Sequence, residues 1–337
     1  MAECIKLCVI IPCYNYEEFV ERAILSVQSQ LNDDVEIIVI DDGSEDKSWE
    51  IIKSTGVKSF RIPNGGARVA CLKGLEETEA DFILFLDADD ELKPGAISKI
   101  LTNLDKNVSK LQFALTRVDS AGGVLSSAAP ALDTFRSSAK LMKQVLKNGV
   151  YKSPPTSGNV FRRDVAKVLK DCTYDIYIDG VILFIAPFMG DIVSLSDELG
   201  SYRIHGRNAS SLGQLPSSET IRKEIDLLNH RMRHLTELIP SICGANPFFD
   251  IDNLFAIQER QIYLDITEDI RPKAGKVLKT IINMLNGSQH KTKEKIGLSC
   301  FFLVIYVLPN NTSKRILAYR LKVGNRSALG LVKEIFK

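Results

Sequence analysis

The first hundred residues alternate short apolar runs with helix-length segments, and this alternation constrains the fold more than any other feature of the chain. Leu7–Ile11, Val35–Ile40, Lys58–Ile62 and Phe82–Leu86 read as strands. Glu17–Ser29, Lys47–Ser54, Gly66–Glu77 and Pro94–Leu104 read as helices. Strands this short, rich in Val and Ile and separated by helices, predict an α/β fold with a mostly parallel sheet flanked by helices on both faces. Asp46 and Pro94 supply helix-start signals in the expected places.

Beyond Leu111 the alternation breaks. Leu111–Val118, a Ser120-Ala-Gly-Gly123 loop and Val124–Leu125 predict a hairpin, followed by a helix at Ser137–Lys147 and a Pro-rich loop at Ser153–Thr156. A helix near Arg163, a buried helix at Asp179–Phe188 and two strands at Asp191–Leu195 and Glu198–Arg203 complete this part. From Pro216 every segment reads helical, through Ser218–Leu238, Ile251–Asp269 and Lys273–Leu285. The expected division is therefore an α/β domain over 1–215, a helical extension over 216–290 and a basic, apolar tail over 291–337.

Charge sharpens that division. The whole chain carries a net +1, which gives no nucleic-acid footprint. The last 47 residues hold ten Lys or Arg against two Glu, a net of +8, and the first 290 a net of −7. Seven cysteines without a CxxC pair point to free thiols in a reducing cytoplasm. Leu7–Ile11 is too short for the apolar part of a signal peptide. The longest apolar run, Ile296–Leu308, covers thirteen residues, short of the roughly 20 of a membrane-spanning helix.

Ligands of open α/β sheets bind beyond the carboxyl ends of the strands. The segments that fall there are Pro12-Cys-Tyr-Asn15, Asp41-Asp-Gly-Ser44, Asn64-Gly-Gly66 and Asp87-Ala-Asp-Asp90. Neither GxGxxG after the first strand nor GxxxxGK[ST] occurs, which excludes the common dinucleotide and phosphate loops. Asp87 and Asp89 stand two apart where a strand ends, so they can project to one side. Such a pair suits Mg²⁺ or Mn²⁺ while leaving positions for substrate oxygens; an acidic loop that merely starts the next helix is the alternative.

Val9-Ile-Ile-Pro-Cys-Tyr-Asn15, Ile38-Val-Ile-Asp-Asp-Gly-Ser44, Asn64-Gly-Gly66 with Gly74, and Leu86-Asp-Ala-Asp-Asp90 together resemble the family 2 glycosyltransferases of the GT-A fold. Ser157-Gly-Asn-Val-Phe-Arg-Arg163 and Tyr202-Arg-Ile-His-Gly-Arg-Asn-Ala-Ser210 resemble that family's acceptor-side loop and closing segment. The resemblance spans about residues 5 to 212. It implies an inverting, metal-dependent transfer from a nucleotide-diphospho-sugar, UDP-linked, to a hydroxyl of a polysaccharide or lipid-linked acceptor.

The roles it implies fall on named positions. Tyr14 lies against the nucleobase with Pro12 as floor, and Asp42 accepts from the base, with Asp41 a turn or ribose contact. Gly66, Arg68 or Lys73, and Asp87 line the diphosphate. Asp89 is the metal ligand, and His205 completes that site with help from Arg203, Arg207 or Asn208. Asp179 is the general base, with Asp175 as substitute; the rival role for Asp179 is a helix N-cap. Arg162 and Arg163 are expected to be solvated. Two positions depart from the family pattern: Ile178 precedes Asp179, and Ala70-Cys71-Leu72 stands where Ala-Arg-Asn is common.

Two other classes compete with the enzyme. A non-catalytic nucleotide-sugar-binding relative keeps the donor residues without a working base, and a membrane-associated scaffold binds no nucleotide. The tail's interleaved apolar and basic residues, including Ile316–Val323 and Ala328–Phe336, suit helices in a bilayer interface. They suggest a cytoplasmic protein held peripherally at the inner face of the cell membrane; packing of Phe301–Leu308 as core is the alternative.

Overall fold

The computed structural model describes residues 6–128, 130–175, 177–206, 215–244, 249–287 and 292–321, with 330, 331 and 333. The chain divides into two compact units. One comprises Met1–Leu141, Lys152–His205 and Ser241–Cys243, and the other Met142–Tyr151, Gly206–Pro240 and Gly244–Lys337.

The first unit begins β1 (Leu7–Cys13), α1 (Val20–Gln28), β2 (Val35–Asp41), α2 (Ser48–Ser54), β3 (Lys58–Arg61), α3 (Ala67–Glu76) and β4 (Phe82–Phe85). It continues with β5 (Glu91–Leu92), α4 (Ala96–Leu101), β6 (Val108–Val118), β7 (Val124–Ser126), β8 (Phe135–Ser137) and α5 (Ala139–Asn148), which runs on into the second unit. β9 (Asn159–Arg162), α6 (Arg163–Lys167), α7 (Val181–Met189) and β10 (Asp191–Arg203) follow. The strands form one sheet in the order β3-β2-β1-β4-β9-β6-β10-β5, with β7 beside β6 and β8 beside β10.

The sheet is parallel from β3 to β4 and mixed beyond, because β9 enters antiparallel to both β4 and β6. Every residue of β1 is buried, which requires cover on both faces. On one face Val9 and Ile11 pack with Val20, Ala23, Ile24 and Val27 of α1. On the other, Ile10 lies under Gly74 of α3. Each such fully buried Ile or Val contributes about 1.5–3 kcal/mol.

Several expected boundaries move. Pro94 and Gly95 form a turn rather than a first helical turn; Gly95 adopts φ +81° and α4 starts at Ala96. Ser137 ends β8 instead of opening a helix. The two strands expected between 191 and 203 are one, β10, whose bulges around Leu195 and Glu198 absorb the polar interruption while pairing with β6 continues.

The second unit is helical: α8 (Ser218–Cys243, which touches both units), α9 (Phe255–Thr267), α10 (Ala274–Asn286), α11 (Thr292–Val307) and α12 (Asn310–Leu321). Ser217 caps α8 by accepting from the Thr220 N–H at 3.1 Å. Its core joins Ile262, Tyr263 and Ile266 of α9 to Val277 and Met284 of α10, Phe301 and Phe302 of α11 and Ile316 and Leu317 of α12. The tail's apolar residues therefore supply core at these positions, and most of Ala328–Phe336 lies outside the described residues. No helix among the described residues is long and apolar enough to cross a membrane.

Gly74 tests the helix-on-sheet contact. A Cβ there would stand 2.5 Å from Ile10 Cγ2, which is itself fully buried. Gly74→Ala should therefore cost about 1–3 kcal/mol through overpacking, read as a lower urea midpoint at unchanged m-value. An unchanged midpoint would mean that α3 is free to lift from the sheet.

Candidate active site

Parallel pairing brings four strand ends to one edge. Cys13 pairs with Asp41, Asp41 with Arg61, and Ile10 with Phe85, so the residues after β1, β2 and β4 emerge side by side. The β1 and β2 turns brace each other. Asn15 is held at φ +58°; its N–H donates to Ser44 Oγ at 3.0 Å, and its Oδ1 accepts from the Glu45 N–H at 2.8 Å. Tyr14, between Pro12 and this brace, is 41% exposed, as a ring available to a planar ligand must be.

Asp41 is fully buried, accepting from Arg61 Nε at 3.1 Å and the Ser44 N–H at 3.2 Å. Those are turn contacts. Asp42 accepts from the Gly65 and Gly66 N–H groups, at 2.8 Å each, one on each oxygen. It thereby fixes Gly66, which caps α3 at φ +86°. A carboxylate oxygen keeps a second lone pair, so this clamp leaves room for a further donor.

The acidic turn after β4 is the chemical centre. Asp87, Asp89 and Asp90 each place a carboxylate oxygen within 4.8 Å of the others. His205 Nε2 lies 2.8 Å from Asp89 Oδ2, and its ring stacks on Phe19 at 5.0 Å between centroids. Asp90, buried, accepts from Ser157 Oγ at 2.5 Å and from the Arg203 N–H at 2.9 Å. Arg203 is 1% exposed, with Nε donating to the Asp89 carbonyl, Nη1 to the Asp119 and Ser120 carbonyls and Nη2 to Glu91. Its guanidinium builds the turn and does not face a ligand. Arg207 and Asn208 lie outside the described residues.

Asp179 stands in the turn before α7, where Gly180 is the N-cap and no side chain caps the helix. The N-cap role is thus not the one Asp179 has here. Its field reaches Asp87 on the β4 turn and Lys110 on β6. Asp175 is buried and accepts from the Tyr177 N–H at 2.9 Å, a local turn bond.

Other predicted residues face elsewhere. Arg68 donates to the Leu169 carbonyl at 3.4 Å, and Lys73 pairs with Glu77 along α3. Arg162 and Arg163 are more enclosed than expected: Arg162 grips Asp164 through two 2.8 Å bonds, and Arg163 donates to the Leu75 carbonyl at 3.2 Å. Cys71 is buried beneath the site, its thiol pushed up by burial and then by Asp87 and Asp42.

Sequence reasoning missed Lys110. It is fully buried, donating to Gln112 Oε1 and Ser153 Oγ at 2.9 Å each. Ser153 in turn donates to Asn159 Oδ1 at 3.0 Å, and the Asn159 amide donates to the Pro155 carbonyl at 2.9 Å. The network secures the loop that presents Ser157 to Asp90. Burial pushes the Lys110 ammonium well down, and Asp179 pulls it back up.

Burial, then the charges of Asp89 and Asp179, push the Asp87 carboxyl up to about 8, and Asp90 is driven up for the same first reason. A crowd of desolvated carboxylates with an imidazole beside it is a hard-donor set suited to Mg²⁺ or Mn²⁺. Such a cluster is unfavourable without a cation and favourable with one.

Comparison with known proteins settles the family. Residues 8–169 match the model of glycosyl transferase family 2. A relative from Nostoc sp., an uncharacterized glycosyltransferase, is 32% identical over 281 residues, 80% of this chain and 86% of that protein. The chain is a family 2 glycosyltransferase. A GalNAc(5)-diNAcBac-PP-undecaprenol beta-1,3-glucosyltransferase of Campylobacter jejuni is 36% identical over 107 residues, 28% of this enzyme and 33% of that one. Among solved structures, S. aureus TarS 1–349 superposes with a TM-score of 0.55 at 16% identity, covering 98% of this enzyme and 89% of TarS 1–349. The enzyme shares its GT-A fold.

The elevated Asp87 has a signed consequence. Its folded value near 8 exceeds the unfolded 3.8, so the stability it contributes is full below about 4 and is lost as pH rises to about 8. In metal-free protein, Asp87→Asn should therefore raise the melting temperature relative to the parent by a margin that widens from about pH 5 to about pH 8.5. A margin independent of pH would assign Asp87 an ordinary carboxyl.

Proposed function

We propose that this glycosyltransferase moves a sugar, with inversion, from a UDP-sugar to a hydroxyl of a polysaccharide or lipid-linked acceptor, with Mg²⁺ or Mn²⁺. The observation that carries the reading is the cluster of Asp87, Asp89 and Asp90 with His205 bonded to Asp89, within the field of Asp179. TarS 1–349 has been solved in complex with UDP-GlcNAc, at a TM-score of 0.53, and the Campylobacter relative's name carries an undecaprenol-linked acceptor. Both support the substrate classes.

In this reading Tyr14 stacks on the uracil, Pro12 forms the floor and Asp42 accepts from the base while clamping Gly66. Gly66 and Asp87 line the diphosphate, while Arg68, turned to the Leu169 carbonyl, does not. Asp89 and His205 would hold the cation, whose chemistry would be to neutralise charge on the leaving diphosphate. Asp179 takes the proton of the acceptor hydroxyl as its oxygen attacks the anomeric carbon. The bond to the diphosphate breaks on the opposite side, so configuration inverts. A positioned base of this kind contributes about 10²–10⁴-fold. We assign the catalytic domain to residues 1–215, with 216–290 a helical extension and 291–337 a basic tail, and place the enzyme on the cytoplasmic side of the cell membrane.

Calorimetric titration with UDP tests the donor half. UDP should bind in Mn²⁺ and weaken about tenfold or more on chelation or in Asp89→Ala. A preference for GDP would overturn the donor, and no binding of either nucleotide would overturn the site. For the base, Asp179→Asn should lower kcat by about 10²–10⁴ with UDP affinity in Mn²⁺ retained. Unchanged turnover would move the base to another carboxylate.

A further inference from the structure

The second unit carries an apolar surface that its own core leaves uncovered. On α11 the buried side chains are Leu298, Phe301, Phe302 and Ile305. Ile296, Leu303 and Val307 stand on the other side, 60%, 52% and 65% exposed, with Cys300 also exposed. Positions 296, 300, 303 and 307 follow the spacing of one helix stripe. The helix is thus apolar on two faces, and only one of them meets the core.

The neighbouring α10 repeats the pattern. Val277, Thr280, Ile281 and Met284 face inward, while Leu278, Ile282 and Leu285 remain exposed at i, i+4 and i+7. α10 and α11 pack against each other, so the two stripes lie on adjacent helices. Large exposed apolar side chains grouped in this way mark an interaction surface, whereas isolated ones do not.

Charge selects the occupant. Across residues 274–287 and 293–308 the charged side chains are Lys276, Lys279, Lys293, Glu294 and Lys295, four cations to one anion, with Lys276 held by Asp265 at 2.6 Å. Lys293 stands exposed one turn before the α11 stripe, and the Arg271 guanidinium donates to the Tyr306 and Val307 carbonyls at its far end. Lys295 donates to the Leu285 and Gly287 carbonyls, where α10 ends. An apolar face rimmed by cations matches a bilayer interface with anionic headgroups: aliphatic side chains reach the acyl boundary and Lys or Arg the phosphates. A second copy docked face to face would set the same cations against each other.

We infer that the paired outer faces of α10 and α11 dock the enzyme on an anionic membrane surface. The contact lies partly outside the basic tail, since Leu278, Ile282 and Leu285 precede residue 291. It uses side chains that the fold leaves free, whereas the buried Phe301, Phe302 and Ile316 are unavailable to lipid. Neither the donor site nor the base enters the argument, so docking stands or falls separately from the sugar-transfer reading.

The test is co-sedimentation of the full-length protein with unilamellar vesicles of phosphatidylcholine, with or without phosphatidylglycerol. Binding should require phosphatidylglycerol and decline with salt. Leu303→Asp with Val307→Asp, and separately Lys279→Gln with Lys293→Gln, should each weaken it about tenfold or more. All four residues are exposed, so melting temperature and metal-dependent UDP binding should match the parent. The proposal is overturned if the parent ignores the anionic vesicles, or if the folded variants bind as the parent does. It is also overturned if the parent is a dimer that the Asp variant dissociates, which would make the occupant a second copy.

Discussion

Asp90 holds together three parts of the chain that have no local reason to meet. Its two oxygens accept from Ser157, two residues before β9, and from the main chain of Arg203 at the end of β10. A buried carboxylate is tolerated only with such partners, and both partners are themselves fixed. Arg203 ties down the carbonyls of Asp89, Asp119 and Ser120. Ser157 also receives the Asp87 N–H at 3.1 Å. The carboxylates of Asp87 and Asp89 therefore sit on a turn that is closed from both sides.

This arrangement explains why neighbouring acids differ in task. Asp90 accepts on both oxygens, whereas Asp41, at the end of β2, accepts on Oδ2 alone and keeps Oδ1 buried without a partner among the described residues. Asp89 keeps one oxygen on His205, and Asp87 is crowded by charge with few donors to relieve it. Negative charge on this turn is thus least relieved at Asp87. The same field extends to Asp179, whose surroundings include the buried ammonium of Lys110. Charge in the site is thus distributed by hydrogen bonding, carboxylate by carboxylate.

What the sequence could reveal followed from range. β1 to β4 were legible because their apolar runs are continuous, and the segments at their carboxyl ends were legible because strand ends are where ligands collect. β9 was not: four residues, Asn159 to Arg162, carry too little pattern to separate a strand from a loop, and only its neighbours β4 and β6 make it one. β10 read as two strands because Ser196 and Asp197 interrupt it, and bulges are invisible without the partner. Asp90 reads as a helix-start acid and Lys110 carries no signal at all, since both owe their roles to residues 40 or more positions away. Arg203 was read for its charge, while its geometry makes it a strut.

The clamp at Asp42 carries a separate implication. The first turn of a helix facing a strand end is the usual cradle for a phosphate in sheets of this kind, because its N–H groups point outward. Here the N–H groups of Gly65 and Gly66, at the entrance to α3, already hold an anion that the protein supplies itself. On the proposed reading, a pyrophosphate would share this helix entrance with the Asp42 carboxylate and take its counter-charge from a cation at the β4 turn. In that reading, the carboxylate at the helix entrance and the acidic turn after β4 together would set the direction in which the donor lies.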